Sequence, residues 1–494
     1  MELQAKKLSL SGGIWVLIAL LVSYCLYSQY PLLAIYGVFT LIVIIRKTWK
    51  LYQPAVLLFW FMVQWTQVMG AIWYADMFEA GFKTVFKSDS SELAVFLGFT
   101  GIILQAVFIG LVTKQQQNYS LEKLKAAAAE ININKLLVLY LVMALIFPVL
   151  NSLAVNVSEL AQIILLFAKL KQVFTIILVF LLFLQNEKKS LILIILLIEF
   201  LAGFLTYFST FKDVFLIVII CYLSFVRKVK LSTLLKLLPL IGALFVLMVF
   251  WTAVKGKYRM FVNEGTRAQQ VQVSSSDAFG KMFELIGNFR KEDFDRGLRS
   301  LLYRMQYLHF FSKVIDRVPE VLPYENGNYL LSSLRFVIVP RAFDADKGVH
   351  DASLKTSKYT GYRVAGLSKG TSMAMGSFGD AYIDFGPVGM MVPLIVIALL
   401  IGGYYRFLMS RKLNLLFVYS LAIAFISSIG FFESDSVILL GNLKNGFLIN
   451  LVLMLTLYPW INKFITGPSA SKKRQGISAT HINLPSAQNW KQPL

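Results

Sequence analysis

"LAVFLGFTGIILQAVFIGLVT" runs from Leu93 to Thr113 without a single Asp, Glu, Lys, Arg or His. A helix rises about 1.5 Å per residue, so about 20 apolar residues cross the hydrocarbon core of a bilayer. This stretch is long enough, and its two faces are equally apolar. Lipid or other helices must therefore surround it on every side. It is one of many. Comparable runs lie near 11–28, 31–45, 53–74, 136–150, 172–186, 191–209, 214–226, 234–254, 386–406, 413–431 and 446–462. The chain is 57% hydrophobic and 15% charged, with a mean hydropathy of +0.66. That apolar share exceeds what a soluble globular chain carries. The fold class expected is an all-α polytopic membrane protein with about 12 transmembrane helices. A single large extracytoplasmic loop separates the ninth span from the tenth.

The net charge of +21 does not point to nucleic acid, because no basic patch sits on a recognisable binding module. The cations instead punctuate the apolar runs. Arg46, Lys47 and Lys50 follow the second run, and Lys114, Lys123, Lys125 and Lys135 the fourth. Lys188 and Lys189 follow the sixth, Arg227, Lys228, Lys230 and Lys236 the eighth, and Arg406, Arg411 and Lys412 the tenth. Short cytoplasmic loops carry the Lys and Arg excess, so both termini are expected on the cytoplasmic side. Lys6 and Lys7 precede the first run without a small-residue cleavage site, which reads as a first span rather than a signal peptide. Cys25 and Cys221 both fall inside apolar runs and suggest no disulfide framework. The expected organisation is 1–254 as nine spans, 255–385 as the outer loop, 386–465 as three spans, and 466–494 as a polar cytoplasmic tail.

The outer loop holds a concentration of polar chemistry. "VPRAFDADKGVHDASLKTSKYTGYR", Val339 to Arg363, gathers arginines, lysines, aspartates and His350. Upstream, "EDFDRGLRSLLYRMQYLHFFSKVIDRV" reads as an amphipathic helix that carries Arg304 and His309. No zinc spacing, H-E-x-x-H helix, P-loop or G-x-S-x-G occurs. Asp344, Asp346 and Asp351 form at most a weak divalent site, and no cofactor or metal is expected. Planar guanidinium groups bind phosphate through paired hydrogen bonds and keep their charge. Arginines held just outside a lipid surface suit an anionic headgroup such as a lipid-linked diphosphate. If the diphosphate leaves, they also stabilise its developing charge.

"YRMQYLHFFSKVIDRVPEVLPYENGNYLLSSLRFVIVPRAF", followed by "GSFGDAYIDFGPVG", resembles the oligosaccharide repeat-unit polymerases of bacterial O-antigen and exopolysaccharide pathways. The resemblance rests on Arg304, Pro323 with Tyr324 and Gly327, Tyr329, Pro340 with Arg341, Lys347, and Tyr382 with Phe385, Gly386 and Gly389. "AFDADKG" keeps Phe343 and Lys347 but lacks two prolines usual there, and "STFKD" offers Lys212 where an arginine is common. The resemblance implies glycosyl transfer at the outer face of the bacterial inner membrane. The donor is a growing glycan on undecaprenyl diphosphate, and the acceptor is a hydroxyl of another lipid-linked oligosaccharide. The implied partners are these lipid-linked glycans, the membrane and a chain-length regulator, with no nucleic acid.

On that reading Arg304, Arg335, Arg341, Arg363, Lys347 and Lys212 are the candidates to hold the diphosphate, with Tyr382 beside them. His350, Asp380, Asp384 or Glu433 takes the acceptor's proton, and the sequence does not choose among them. Two alternatives stay open. A glycan ligase needs the same donor clamp with a different acceptor. A transporter places its ionisable residues at mid-membrane, where Glu199 is the clearest one.

Overall fold

The computed structural model describes residues 12–114, 119–156, 161–205, 211–226, 231–266, 271–339, 344, 347–366 and 372–466. Pro340, Arg341, Phe343, Asp346, the cations Lys6, Lys7, Arg227, Lys228 and Lys230, and the tail from Gly467 lie outside those residues. Every regular element among the described residues is a helix. Eight helices are long and apolar enough to cross a membrane: Pro31–Thr48, Val56–Met77, Ser91–Val112, Ile133–Leu150, Phe167–Leu184, Ile241–Val262, Met391–Met409 and Ser436–Leu455. Trp15–Tyr27 and Leu415–Ile426 are apolar but shorter. The runs near 191–209 and 214–226 form helices Lys189–Leu205 and Phe211–Phe225.

Helix Ser91–Val112, which contains the opening stretch, packs between Met391–Met409 and Pro31–Thr48. Phe99, Ile102, Ala106 and Ile109 are wholly buried, whereas Phe96 and Leu111 face outward. Outward apolar side chains recur on the other spans, Leu145, Leu197 and Val392 among them. An exposed apolar surface of that extent fits hydrocarbon rather than water.

The segment between helices Leu231–Val262 and Met391–Met409 is folded rather than a tether. Helices Ser275–Gly287, Lys291–Met305, Leu308–Arg317, Asn328–Ile338, Ala352–Thr360 and Ser377–Gly389 build it. Two sequence boundaries move. The span expected to end at Val254 belongs to helix Leu231–Val262, so Lys255 and Arg259 stand on the same rigid helix. The run expected from 386 begins as a membrane-length helix at Met391, because the chain breaks at Gly386 (φ 66°). A Cβ there would meet the Tyr324 hydroxyl at 3.0 Å. Only glycine accepts both that backbone conformation and that contact.

Candidate functional site

Residues 429–435 form the turn on which the site is built. Phe431 N donates to Ser434 Oγ at 3.2 Å, and Ser434 N returns a bond to Phe431 O at 2.9 Å. Trp60 Nε1 donates to Gly430 O at 2.5 Å. Asp435 ends the turn as the N-cap of helix Ser436–Leu455, accepting from Ile438 N through Oδ1 at 2.8 Å. A carboxylate there satisfies an orphan N–H and meets the positive end of the helix dipole. The turn lies against Gly376 (φ 92°), where a Cβ would meet Phe432 O at 2.5 Å.

Glu433 projects from this turn. Its side chain is accessible to solvent but surrounded by protein, and burial pushes its pKa up. Lys212 and Arg304 lie within electrostatic reach and pull it back, as does a bond from Gln67 Nε2 to Oε2 at 2.7 Å. Gln67 is a joint between elements: its backbone oxygen accepts from Tyr307 N at 3.1 Å. Tyr307 then donates its hydroxyl to Ala374 O at 2.6 Å. Lys255 lies within reach of Arg304, Arg259 and Lys212. Helices Phe211–Phe225 and Lys291–Met305 thus bring Lys212 and Arg304 to one carboxylate, helix Val56–Met77 brings Gln67, and Lys255 of helix Leu231–Val262 stands beside the two cations. An excess of positive charge around one carboxylate attracts an anion.

The other end of the same turn belongs to a second polar cluster. His350 Nε2 and Asp435 Oδ2 are 2.5 Å apart. Asp380 is wholly buried and accepts from Ser436 N through Oδ2 at 2.6 Å. Burial, then the charge of Asp435, push the Asp380 carboxyl up to about 7. The Tyr329 hydroxyl is close by, but Asp380 Oδ1 has no partner at full hydrogen-bonding geometry. Tyr307 feels the charges of Glu433, Asp435 and Arg304, and so lies between the two clusters. Glu433 and Asp435 are two residues apart, at most ~7 Å along the chain. The two clusters thus share the turn 429–435 and both border on Tyr307.

A family model described as a domain of unknown function, DUF8712, matches residues 69–466. The chain belongs to that family. No curated protein and no solved structure matches it. The DUF8712 match takes in every residue of both clusters except Gln67.

The structure thus brings Arg304, Lys212, Glu433, His350 and Asp380 into one neighbourhood. Other candidates stand elsewhere. Asp384 accepts from the backbone N–H groups of Gly327, Tyr329 and Leu330 at 3.0, 3.0 and 2.7 Å, and so holds the start of helix Asn328–Ile338. Lys347 Nζ donates to Phe336 O and to Val339 O, the latter at 2.6 Å, at the other end of that helix. Arg335 is exposed on the same helix. Tyr382 is buried and hydrogen-bonds Tyr324. Arg363 lines a surface hollow with Asp351, Ser353 and Ser357. Asp351 Oδ1 there accepts from Ser353 N at 2.9 Å, capping helix Ala352–Thr360. Glu199 is paired with Lys171 Nζ at 2.8 Å and accepts from the Tyr140 hydroxyl.

Sequence reasoning missed Asp435, Gln67 and Tyr307 as site residues. The motif "ESDS" gave a signal for Asp435, an acid directly before an apolar run, but one that announces a helix cap and nothing more. Lys255 and Arg259 were visible as cations, and only the long continuous helix brings Lys255 within reach of Arg304.

Proposed function

We propose that this chain is a membrane glycosyltransferase that joins lipid-diphosphate-linked oligosaccharides at the outer face of the bacterial inner membrane. The observation that carries this reading is the gathering of Lys212, Lys255 and Arg304 around Glu433, on the turn whose Asp435 backs the imidazole of His350. The cations hold the donor's diphosphate. His350 accepts the proton of the acceptor hydroxyl as its oxygen bonds to the donor's anomeric carbon. The carbon–oxygen bond to the diphosphate breaks, and the bonding pair leaves with the diphosphate. The cations stabilise the charge that develops.

His350 is preferred over Glu433 as the base. Glu433 is already engaged by Gln67 and faces Lys212 and Arg304, whereas His350 offers an imidazole with a carboxylate partner, a pairing suited to proton transfer. Glu433 keeps Lys212 and Arg304 gathered before the diphosphate arrives. Asp384 is committed to three N–H groups and is set aside as a base. The eight membrane-length helices and the four shorter apolar ones support twelve spans, and the Lys and Arg asymmetry supports cytoplasmic termini. A chain-length regulator remains a partner of this reading.

Purified protein in nanodiscs, supplied with undecaprenyl-diphosphate-linked repeat units and analysed by gel, tests it. Wild type should produce ladders. Arg304→Ala and Lys212→Ala should each slow them by about 10²-fold while the proteins stay folded. Ladders untouched by both substitutions, or no product from any lipid-linked glycan, would overturn the reading. A single product on a foreign lipid acceptor, without ladders, would mark a ligase.

A further inference from the structure

The glycosyl-transfer reading leaves open which nitrogen of His350 does the work, and the structure assigns it. Asp435 Oδ2 is bonded to His350 Nε2, while Asp435 Oδ1 is occupied by Ile438 N. We propose that Asp435 is a positioning residue: it keeps the imidazole proton on Nε2, so that Nδ1 is the atom that takes the acceptor's proton. The inference rests on the proposed function for its chemistry, but its geometry stands alone.

Both oxygens of Asp435 have fixed tasks, so the carboxylate cannot swing away without uncapping helix Ser436–Leu455. Its neighbour Ser436 is tied to Asp380 through the backbone N–H. Asp380 supports the arrangement in its neutral form. Two carboxylates buried side by side cannot both ionise cheaply. Asp435 has the imidazole and the helix dipole as partners, which leaves the proton on Asp380. Burial and Asp435 raise the Asp380 carboxyl accordingly. A proton on Oδ1 also turns a buried acceptor without a partner into a donor facing the Tyr329 hydroxyl. The other charged or titratable groups nearby are Tyr307 and Glu433, and Lys347 with Lys444 at the end of helix Asn328–Ile338.

The decisive variant is Asp435→Asn. Ile438 N retains the amide oxygen as its acceptor, so the amide nitrogen faces His350 Nε2. An N–H donor there forces the ring proton onto Nδ1, and the base is lost with little change in shape. Asparagine is also a good N-cap, so the fold is kept. The experiment combines kinetics in nanodiscs with nitrogen NMR of protein labelled at histidine, the His350 signal being assigned with His350→Gln. The expected result is an Nε2–H tautomer in wild type and an Nδ1–H tautomer in Asp435→Asn. The turnover rate kcat should fall by about 10²–10⁴-fold with KM nearly unchanged. Asp435→Ser, which keeps a cap but places no donor on the ring, should lose less than Asp435→Asn.

An unchanged tautomer, or a switched tautomer with undiminished kcat, would overturn the inference. Equal losses in Asn and Ser would also overturn it, since they would mean that only the cap mattered. Wild type that makes no polymer while its tautomer responds as expected would sink the glycosyl-transfer reading and uphold the assignment of the nitrogens.

Discussion

His309 and Asp380 should make opposite contributions to stability on acidification, and each can be removed separately. His309 is 8% exposed, and burial pushes its imidazole from 6.5 down to about 4. The unfolded chain binds this proton more readily than the folded one, so the contribution is complete above 6.5 and fades as pH falls towards 4. At about 1.36 kcal/mol per pH unit, some 2 kcal/mol is lost between pH 7 and pH 5. Asp380 is raised from 3.8 to about 7. Here the folded chain binds the proton more readily, and stability grows by about 2 kcal/mol over the same interval. The two nearly cancel, and wild type should show little change from this pair. His309→Gln should become more stable from pH 7 to pH 5, and Asp380→Asn less stable, by about 2 kcal/mol each. For a chain of this length that is a shift on the order of 2 °C, of opposite sign in the two variants. Intrinsic fluorescence of the tryptophans during thermal unfolding at several pH values measures it. Groups common to all three proteins drop out of the differences. Parallel profiles for the three proteins would refute the assignment of a neutral buried imidazole and a protonated buried acid.

Two further outcomes follow from the hydrogen bonds and ion pairs. Asp384→Ala strips acceptors from three N–H groups at the start of helix Asn328–Ile338 and should cost about 3 kcal/mol or more, whereas activity per folded molecule should persist. Loss of activity without loss of thermal stability would return Asp384 to the list of bases. In the pair Lys171–Glu199, either Lys171→Met or Glu199→Leu alone should destabilise by about 3–5 kcal/mol, and the double variant should recover most of it. Glu199 variants that stay stable but lose all function would favour transport.

The apolar runs were legible because membrane helices must satisfy their own backbone and expose apolar side chains. The same rule hid the ends of the elements. Nothing in "VKGKYRMF" says that the helix continues to Val262, since lysine and arginine are good helix formers. Gly386 was read as part of an entry to the tenth span. It ends one helix and starts another because Tyr324, some sixty residues earlier, occupies the space a side chain would need. Among the candidate bases, sequence could not separate Asp380 from Asp384, four residues apart on one helix. Their fates differ by what faces them. Asp384 meets three N–H donors, and Asp380 meets another carboxylate. Such partners come from distant segments and leave no local pattern.

On the proposed reading, the turn 429–435 links the charge clamp to the base. Transfer requires the anomeric carbon, held through its diphosphate, to meet a hydroxyl whose proton has somewhere to go. A loose arrangement of the two parts would forfeit the gain that orientation provides. Here Glu433, which faces Lys212 and Arg304, and Asp435, which bonds His350, belong to one turn. That turn is pinned by Trp60, by its own Phe431–Ser434 bonds and by the cap of a membrane-length helix. A shift of the turn would displace Glu433 and Asp435 alike, so the separation of these two carboxylates is kept. The cations in turn stand on helix Leu231–Val262 and at the ends of Phe211–Phe225 and Lys291–Met305, elements anchored in or against the apolar bundle. A lipid phosphate arriving from the bilayer and a sugar arriving from water would meet at the level of that turn.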